Sequence, residues 1–379
     1  MTRVHLDHNA TTPLRPEARA ELLRAIDALG GNPSSVHASG RAARAELDDA
    51  RERIAAALEV DSDELIFTSG GTEANNAALF GAAPSDGAVL VSAAEHSSVR
   101  EAALALGASG REVRLVSVDP EGLLDLSALE AALRAGPVSM LSCVGANNEV
   151  GAAAPFPEIR AALDACQEGA PPAWHADCVQ MLGKVPVKPA ALGLDLASFS
   201  AHKVGGPLGV GLLWCAKERP FSPRMVGGGQ ESGLRSGTEN LPAIAAAAVA
   251  IELAVQEQAD YAARTQALTG ELWRGIQELI PAAQLVGPSL EAAGRLPNTL
   301  CVLLPGEDGR VLVPRLDLAG LEVSAGSACS SGSIEPSPVL LALGHDESAA
   351  RAALRLSLGR DTTAEEVRSA ILTLGTTCG

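Results

Sequence analysis

Lys203 stands in the stretch LASFSAHKVGGPLGVG, residues 196–211, between a short apolar run and a glycine-rich segment. A lysine held where water is scarce loses preference for its ammonium form, and the free amine can form a Schiff base with an aldehyde. The competing reading is a solvated surface lysine, the usual fate of this residue type. Ser200 and His202 favour the first reading because they bring hydrogen-bonding groups beside the amine. Gly205, Gly206 and Gly209 let the backbone bend or lie close against a ligand. Such a setting suits a phosphate-bearing aldehyde cofactor.

A second chemical signal is the apolar run Glu64–Thr68, followed directly by SGGTEANN (residues 69–76) and an alanine-rich helical pattern. Backbone N–H groups at a helix N-terminus, together with the Thr72 hydroxyl, make an anion site, with Gly71 allowing close approach. The alternative is an ordinary turn in which Thr72 only caps the helix. The spacing is not that of a Walker motif.

These residues need elements to hold them. Strand patterns at 88–92, 112–116, 138–142 and 173–176 alternate with helical patterns starting at Ser97, Leu126 and Phe156. Such alternation predicts an α/β fold with a mostly parallel sheet flanked by helices on both faces. Functional residues then belong at strand C-termini, and His96, Asn148, Asp177 with Gln180, and Ser200 with His202 and Lys203 all fall there. Asp177 is the acid that a protonated pyridine nitrogen requires. A Schiff-base lysine, a ring-nitrogen acid and phosphate donors are together what pyridoxal phosphate asks of a protein.

Around Gln256 the alternation gives way to a long polar helical pattern. Residues 15–255 are expected to form a large cofactor-binding domain, and residues 1–14 with 256–379 a smaller α+β domain. Strand signals there lie at 298–304 and 353–357, with helices near Val311 and Ala364. Within it, SAGSACSSGS (residues 324–333) surrounds Cys329 with small residues that leave a thiolate exposed and movable. Cys143 and Cys301 follow apolar strand patterns and are expected to be buried and inert.

Composition narrows the class. A formal net charge of −17 over 379 residues argues against direct binding to nucleic acid or an anionic membrane. No apolar run is long enough for a membrane span and the first residues lack a signal-peptide pattern, so a cytoplasmic protein is expected. Seven cysteines without a CxxC pair speak against a disulfide framework or a structural zinc site, and no metal site is expected.

The motifs SGGTEANN, ANNEVG, HADCVQ, SFSAHK, GGGQE, RSGTEN, SAGSACSSGS and RLSLGR resemble, in order, those of the cysteine desulfurases. These are fold-type I pyridoxal phosphate enzymes of the class V aminotransferase group. The resemblance runs from Leu6 to Arg360, and SGSACSSGS is closest to the branch with the longer catalytic-cysteine loop. It implies a homodimer that converts L-cysteine to L-alanine, leaving a persulfide on Cys329 for an iron-sulfur scaffold or another sulfur acceptor. Cys329 would contact such a cluster only in passing.

By the same resemblance, Lys203 carries the cofactor and moves the α-proton, His96 stacks on its ring and serves as a catalytic residue in acid–base steps, and Gln180 bonds its phenolic oxygen. Gly71, Thr72, Ser200 and His202 hold the phosphate, with Thr238 reaching across from a second subunit. Asn148 and Arg355 take the substrate carboxylate, the arginine by its planar fork. Gly145 stands where the family often has histidine, and Val204–Leu208 where an aromatic residue and a second lysine are common. Rival readings are a selenocysteine lyase, another class V activity, or a catalytically silent scaffold. Loss of Lys203 or Cys329 would mark the last, and both are present.

Overall fold

Alternation of apolar strands with amphipathic helices builds one seven-stranded sheet in the computed structural model, which describes residues 3–28, 30–83, 86–165, 171–326 and 335–378. After a short β1 (Val4–His5), its strands are β2 (Leu65–Thr68), β3 (Ala88–Ser92), β4 (Val113–Val116), β5 (Val138–Val144), β6 (Ala173–Asp177), β7 (Leu196–Ser200) and β8 (Gly211–Cys215). Their spatial order is β2-β8-β7-β6-β5-β3-β4. The run from β7 to β4 pairs in parallel, and β8 lies antiparallel between β7 and β2. The sheet is therefore mostly parallel, as expected. Strand β8 was not expected from the sequence: its five residues GLLWC follow the glycine-rich stretch with no helical crossover, which leaves 201–210 as a short return loop.

Helices cover both faces because strand side chains alternate. Leu90 of β3 joins a core with Leu141, Trp174 and Phe199, packed by α2 (Ala38–Leu58), α5 (Leu126–Arg134), α6 (Phe156–Ala165) and α7 (Leu241–Gln256). Its neighbours Val89 and Val91 face the other way, against α3 (Gly71–Ala82) and α4 (Ser97–Ala108). Helix α1 (Pro16–Ala28) lies on α7 through an alanine contact, Ala18 with Ala246 and Ala250.

A second sheet is antiparallel: β12 (Ser324–Ala325), β13 (Ala353–Ser357), β10 (Thr299–Leu303) and β9 (Gln284–Val286), in that order. One face packs under α8 (Gln258–Leu279), α9 (Gly309–Leu318) and α12 (Ala364–Cys378). The other carries Cys301, Leu303 and Ala353 onto Ala94, Val150 and Ala152, which follow β3 and β5. The chain start joins this sheet: β1 pairs in parallel with β11 (Leu321–Glu322), and Asp7 bridges Ser357. No single described helix is long and apolar enough to cross a membrane.

Candidate active site

A cavity of about 290 Å³ opens at the C-terminal ends of β3, β5, β6 and β7. Its lining brings together Gly71, Thr72, His96, Asn148, Asp177, Gln180, Ser200, His202, Lys203 and Arg355. Thr238 is exposed and lies outside this lining, and Cys329 falls outside the described residues.

Lys203 sits on a single helical turn, Ala201–Val204, in the β7–β8 return loop. Its Nζ donates to the backbone carbonyls of Asn9 and Ala10, each at 2.7 Å. The loop is shaped by Gly205, whose φ of +81° closes the turn and whose missing side chain makes room for Arg15, the Cγ of which would lie 2.6 Å from a Cβ. Val204 is buried beside it, while Leu208 points to solvent.

Asp177 ends β6 and is buried. Its Oδ2 accepts from Asn75 Nδ2 at 2.7 Å and its Oδ1 from the Val179 N–H at 3.0 Å. Asn75 Nδ2 also donates to Ser98 Oγ at 2.8 Å, which lies 2.7 Å from His96 Nδ1. The Ser98 backbone N–H donates to the same ring nitrogen at 3.1 Å. Nδ1 is thereby an acceptor, and the ring proton of a neutral His96 resides on Nε2. A continuous chain of hydrogen bonds joins the carboxylate to the histidine.

Gly71 and Thr72 open α3, where first-turn N–H groups have no intrahelical acceptor. Glu73 in the same turn accepts from Arg235 in the RSGTEN loop, at 2.8 and 3.1 Å, and from the Ser69 N–H at 2.7 Å. His202 Nδ1 lies 3.1 Å from Thr11 Oγ1. Burial, reinforced by Lys203 and Lys184, pushes its pKa down to about 4, so it is a neutral hydrogen-bonding group near pH 7.

Arg355 enters from the middle of β13 and is fully buried. Nη2 pairs with Asp7 Oδ1 at 2.7 Å and Nη1 donates to the Asn148 carbonyl at 3.3 Å. Its Nε is buried with no acceptor among the described residues. A buried donor without an acceptor is costly, and the cavity beside it offers a place for a ligand's carboxylate. Of the Asn147–Asn148 pair, Asn147 is structural: its Oδ1 accepts from the N–H groups of Glu149 and Val150, at 2.8 and 2.9 Å, and its Nδ2 reaches the Ala94 carbonyl.

Sequence reasoning missed the residue that joins these parts. Asn9, almost wholly buried, accepts at its carbonyl from Lys203 and from Gln180 Nε2, the latter at 2.9 Å. Its Nδ2 donates to the Asn148 carbonyl and Thr299 Oγ1, and its Oδ1 accepts from Lys184 and Asn298. Nothing in its spacing marks it, because its partners come from five distant segments. Glu95, next to His96, was also missed; burial and the Asp177 charge push its carboxyl well above the usual range.

At Gly145 the histidine common in the family has no room. A Cβ there would lie 2.7 Å from Met181 Sδ and 3.2 Å from Cys178 Sγ, which fill the space. The expectation for Cys143 and Cys301 holds: both are buried, and burial raises their thiols, Cys301 to about 12. Neither is a thiolate near pH 7.

The class-V aminotransferase family model matches residues 4–369. A cysteine desulfurase of Cereibacter sphaeroides is 42% identical over 97% of this chain and 93% of its own length. The cysteine desulfurase IscS of Dictyoglomus turgidum is 40% identical over 96% and 91%. A solved NifS-like protein superposes with a TM-score of 0.91 at 35% identity, covering 99% of both chains. With a whole-length family match, close relatives of one activity and the same fold around the cavity, the chain belongs to the class-V aminotransferase family and, within it, to the cysteine desulfurases.

Proposed function

We propose that this chain acts in the cytoplasm as a homodimeric cysteine desulfurase that uses pyridoxal 5′-phosphate, moves the sulfur of L-cysteine onto Cys329 and leaves L-alanine. One observation carries the reading: an amine (Lys203), a buried carboxylate (Asp177), a helix N-terminus (Gly71–Thr72) and an arginine with an unused buried donor (Arg355) line one cavity. The residues fit the cofactor by their chemistry. When bound, it supplies an aldehyde for Lys203 and an electron-withdrawing ring that acidifies the substrate α-carbon.

Asp177, its carboxylate held by Asn75 and Val179, would pair with the cofactor's ring nitrogen. His96, with its ring oriented through Nδ1 by Ser98, would stack on the cofactor ring, and Gln180 would donate to the phenolic oxygen. Thr72, Ser200 and neutral His202 bind phosphate with the Gly71 N–H. Asn148 and Arg355 orient the substrate carboxylate, which places the α-hydrogen for removal by Lys203 Nζ. The Cys329 thiolate then attacks the substrate sulfur. An S–S bond forms and the carbon–sulfur bond breaks with its electron pair remaining on the β-carbon; protonation of that carbon, and return of a proton to the α-carbon by Lys203, give alanine. Cys329 is five residues beyond Ser324, whose backbone is in register with Arg355, a reach of at most ~18 Å of extended chain.

The persulfide passes to a thiol-bearing acceptor protein. Residues 15–255 act as the cofactor domain, with 1–14 and 256–379 as the smaller one. Thr238, exposed on its own subunit, completes the partner's phosphate site, so Thr238→Ala weakens cofactor retention by about 1–3 kcal/mol. The decisive test is Cys329→Ser. It should still give a spectral change on adding cysteine while alanine and sulfide production collapse, and mass spectrometry of the parent enzyme after brief exposure to cysteine should find one added sulfur on the Cys329 peptide. Normal turnover by the serine variant would refute the persulfide route.

A further inference from the structure

Behind the cavity lies a buried lysine that the mechanism does not use. Lys184 is 3% exposed, lines the neighbouring cavity of about 510 Å³ and forms no ion pair among the described residues. Its Nζ donates instead to two neutral acceptors, Asn9 Oδ1 at 2.9 Å and Gln180 Oε1. Gln180 Nε2 in turn donates to the Asn9 carbonyl.

This triangle admits one amide orientation. A backbone carbonyl only accepts, and the Lys184 amine is here a donor; flipping Gln180 would set oxygen against oxygen and N–H against N–H. The second Nε2 proton has no acceptor among the described residues, and Gln180 lines the cofactor cavity. We propose that Lys184 is a positioning residue: it holds the Gln180 carbonyl so that the amide nitrogen is presented to the phenolic oxygen of the bound cofactor. The inference rests on the cofactor reading given above.

The surroundings support it. The groups facing Lys184 are cationic or basic, namely Lys203, Arg355, His8 and His202; Asp7 pairs with Arg355, but among the described residues no carboxylate pairs with Lys184 itself. Burial, then Lys203 and Arg355, push the Lys184 amine well below its usual range. An uncompensated amine kept in such a place serves through its hydrogen bonds.

The experiment is a pH titration of the absorbance of the enzyme loaded with pyridoxal 5′-phosphate, comparing the parent, Lys184→Met, Gln180→Leu and the double variant. A donor to the ring oxygen favours its anionic form, so losing it raises the midpoint. Lys184→Met should raise it by about one pH unit, the size of one hydrogen bond. Gln180→Leu should raise it similarly, and the double variant no further. An unchanged midpoint in Lys184→Met overturns the inference, as does a full further shift on the Gln180→Leu background, which would mean that Lys184 acts by charge alone. If circular dichroism shows Lys184→Met unfolded, Lys184→Gln, with a donor retained, should give a smaller shift of the same sign, and no shift overturns the proposal. Absence of any lysine-bound absorbance in the parent would overturn the cofactor reading itself, and this inference with it.

Discussion

The two sheets meet the same cavity in different ways. The seven-stranded sheet contributes strand ends: His96, Asp177, Ser200 and Lys203 stand at or just after the last residues of β3, β6 and β7. The four-stranded sheet contributes Arg355 from the middle of a strand, in register with Cys301 on one side and Ser324 on the other. A strand end lies at the boundary of the core, where a polar group finds loop N–H groups and helix termini. A guanidinium in mid-strand is desolvated completely and needs partners built for it, here Asp7 and the Asn148 carbonyl. Chemistry at strand ends is therefore separable from stability, whereas at Arg355 the two are joined.

The largest effect is expected at the first kind of position. Lys203→Ala should abolish borohydride-trappable cofactor and lower turnover more than ~10³-fold, with little change in the denaturant midpoint. A comparable loss of stability would break the contrast between the sheets. Next comes Arg355→Lys, which keeps charge but loses the fork. It should raise KM for cysteine about 10- to 100-fold, the value of one charge-assisted hydrogen bond, and lower the unfolding midpoint as well. If kinetics changed and stability did not, Arg355 would behave like a strand-end residue.

The smallest effect lies inside the large sheet. His175 on β6 has both ring nitrogens occupied, Nδ1 with Ser142 Oγ at 2.9 Å and Nε2 with Ser198 Oγ at 3.0 Å. Burial lowers its pKa to about 4. The unfolded chain binds a proton near pH 6.5, and the folded chain does so only near pH 4. The stability tied to this ring is thus intact above pH 6.5 and falls as pH drops toward 4, by up to ~1.4 kcal/mol per pH unit. Urea midpoints between pH 6.5 and 4 should fall less steeply in His175→Asn, while turnover at pH 8 stays within about 2-fold of the parent. A change in catalysis would show that the sheet interior reaches the site.

Local pattern and chemical type carried much of this in advance. Alternation of apolar runs with helical periodicity, set by the periods of strand and helix, placed β3, β5 and β6 and their helices and put His96, Asp177 and Lys203 at strand ends. Ordered motifs carried the family. Strand β8 escaped because its antiparallel return has no crossover helix to announce it, and the two-residue strands β1, β11 and β12 are too short to show a period.

What the sequence alone determined was which groups are available and which strand ends bear them, since those follow from composition and periodicity along the chain. The tertiary structure alone decided how they are held. Asn9 gathers partners from residues 148, 180, 184, 203, 298, 299 and 357, and Asn75 links Asp177 to Ser98 across three elements. The pairing of Arg355 with Asp7 spans 348 positions. Such contacts have no period and no local propensity. They exist because packing two sheets against each other buries polar groups that must find acceptors wherever the fold has brought them.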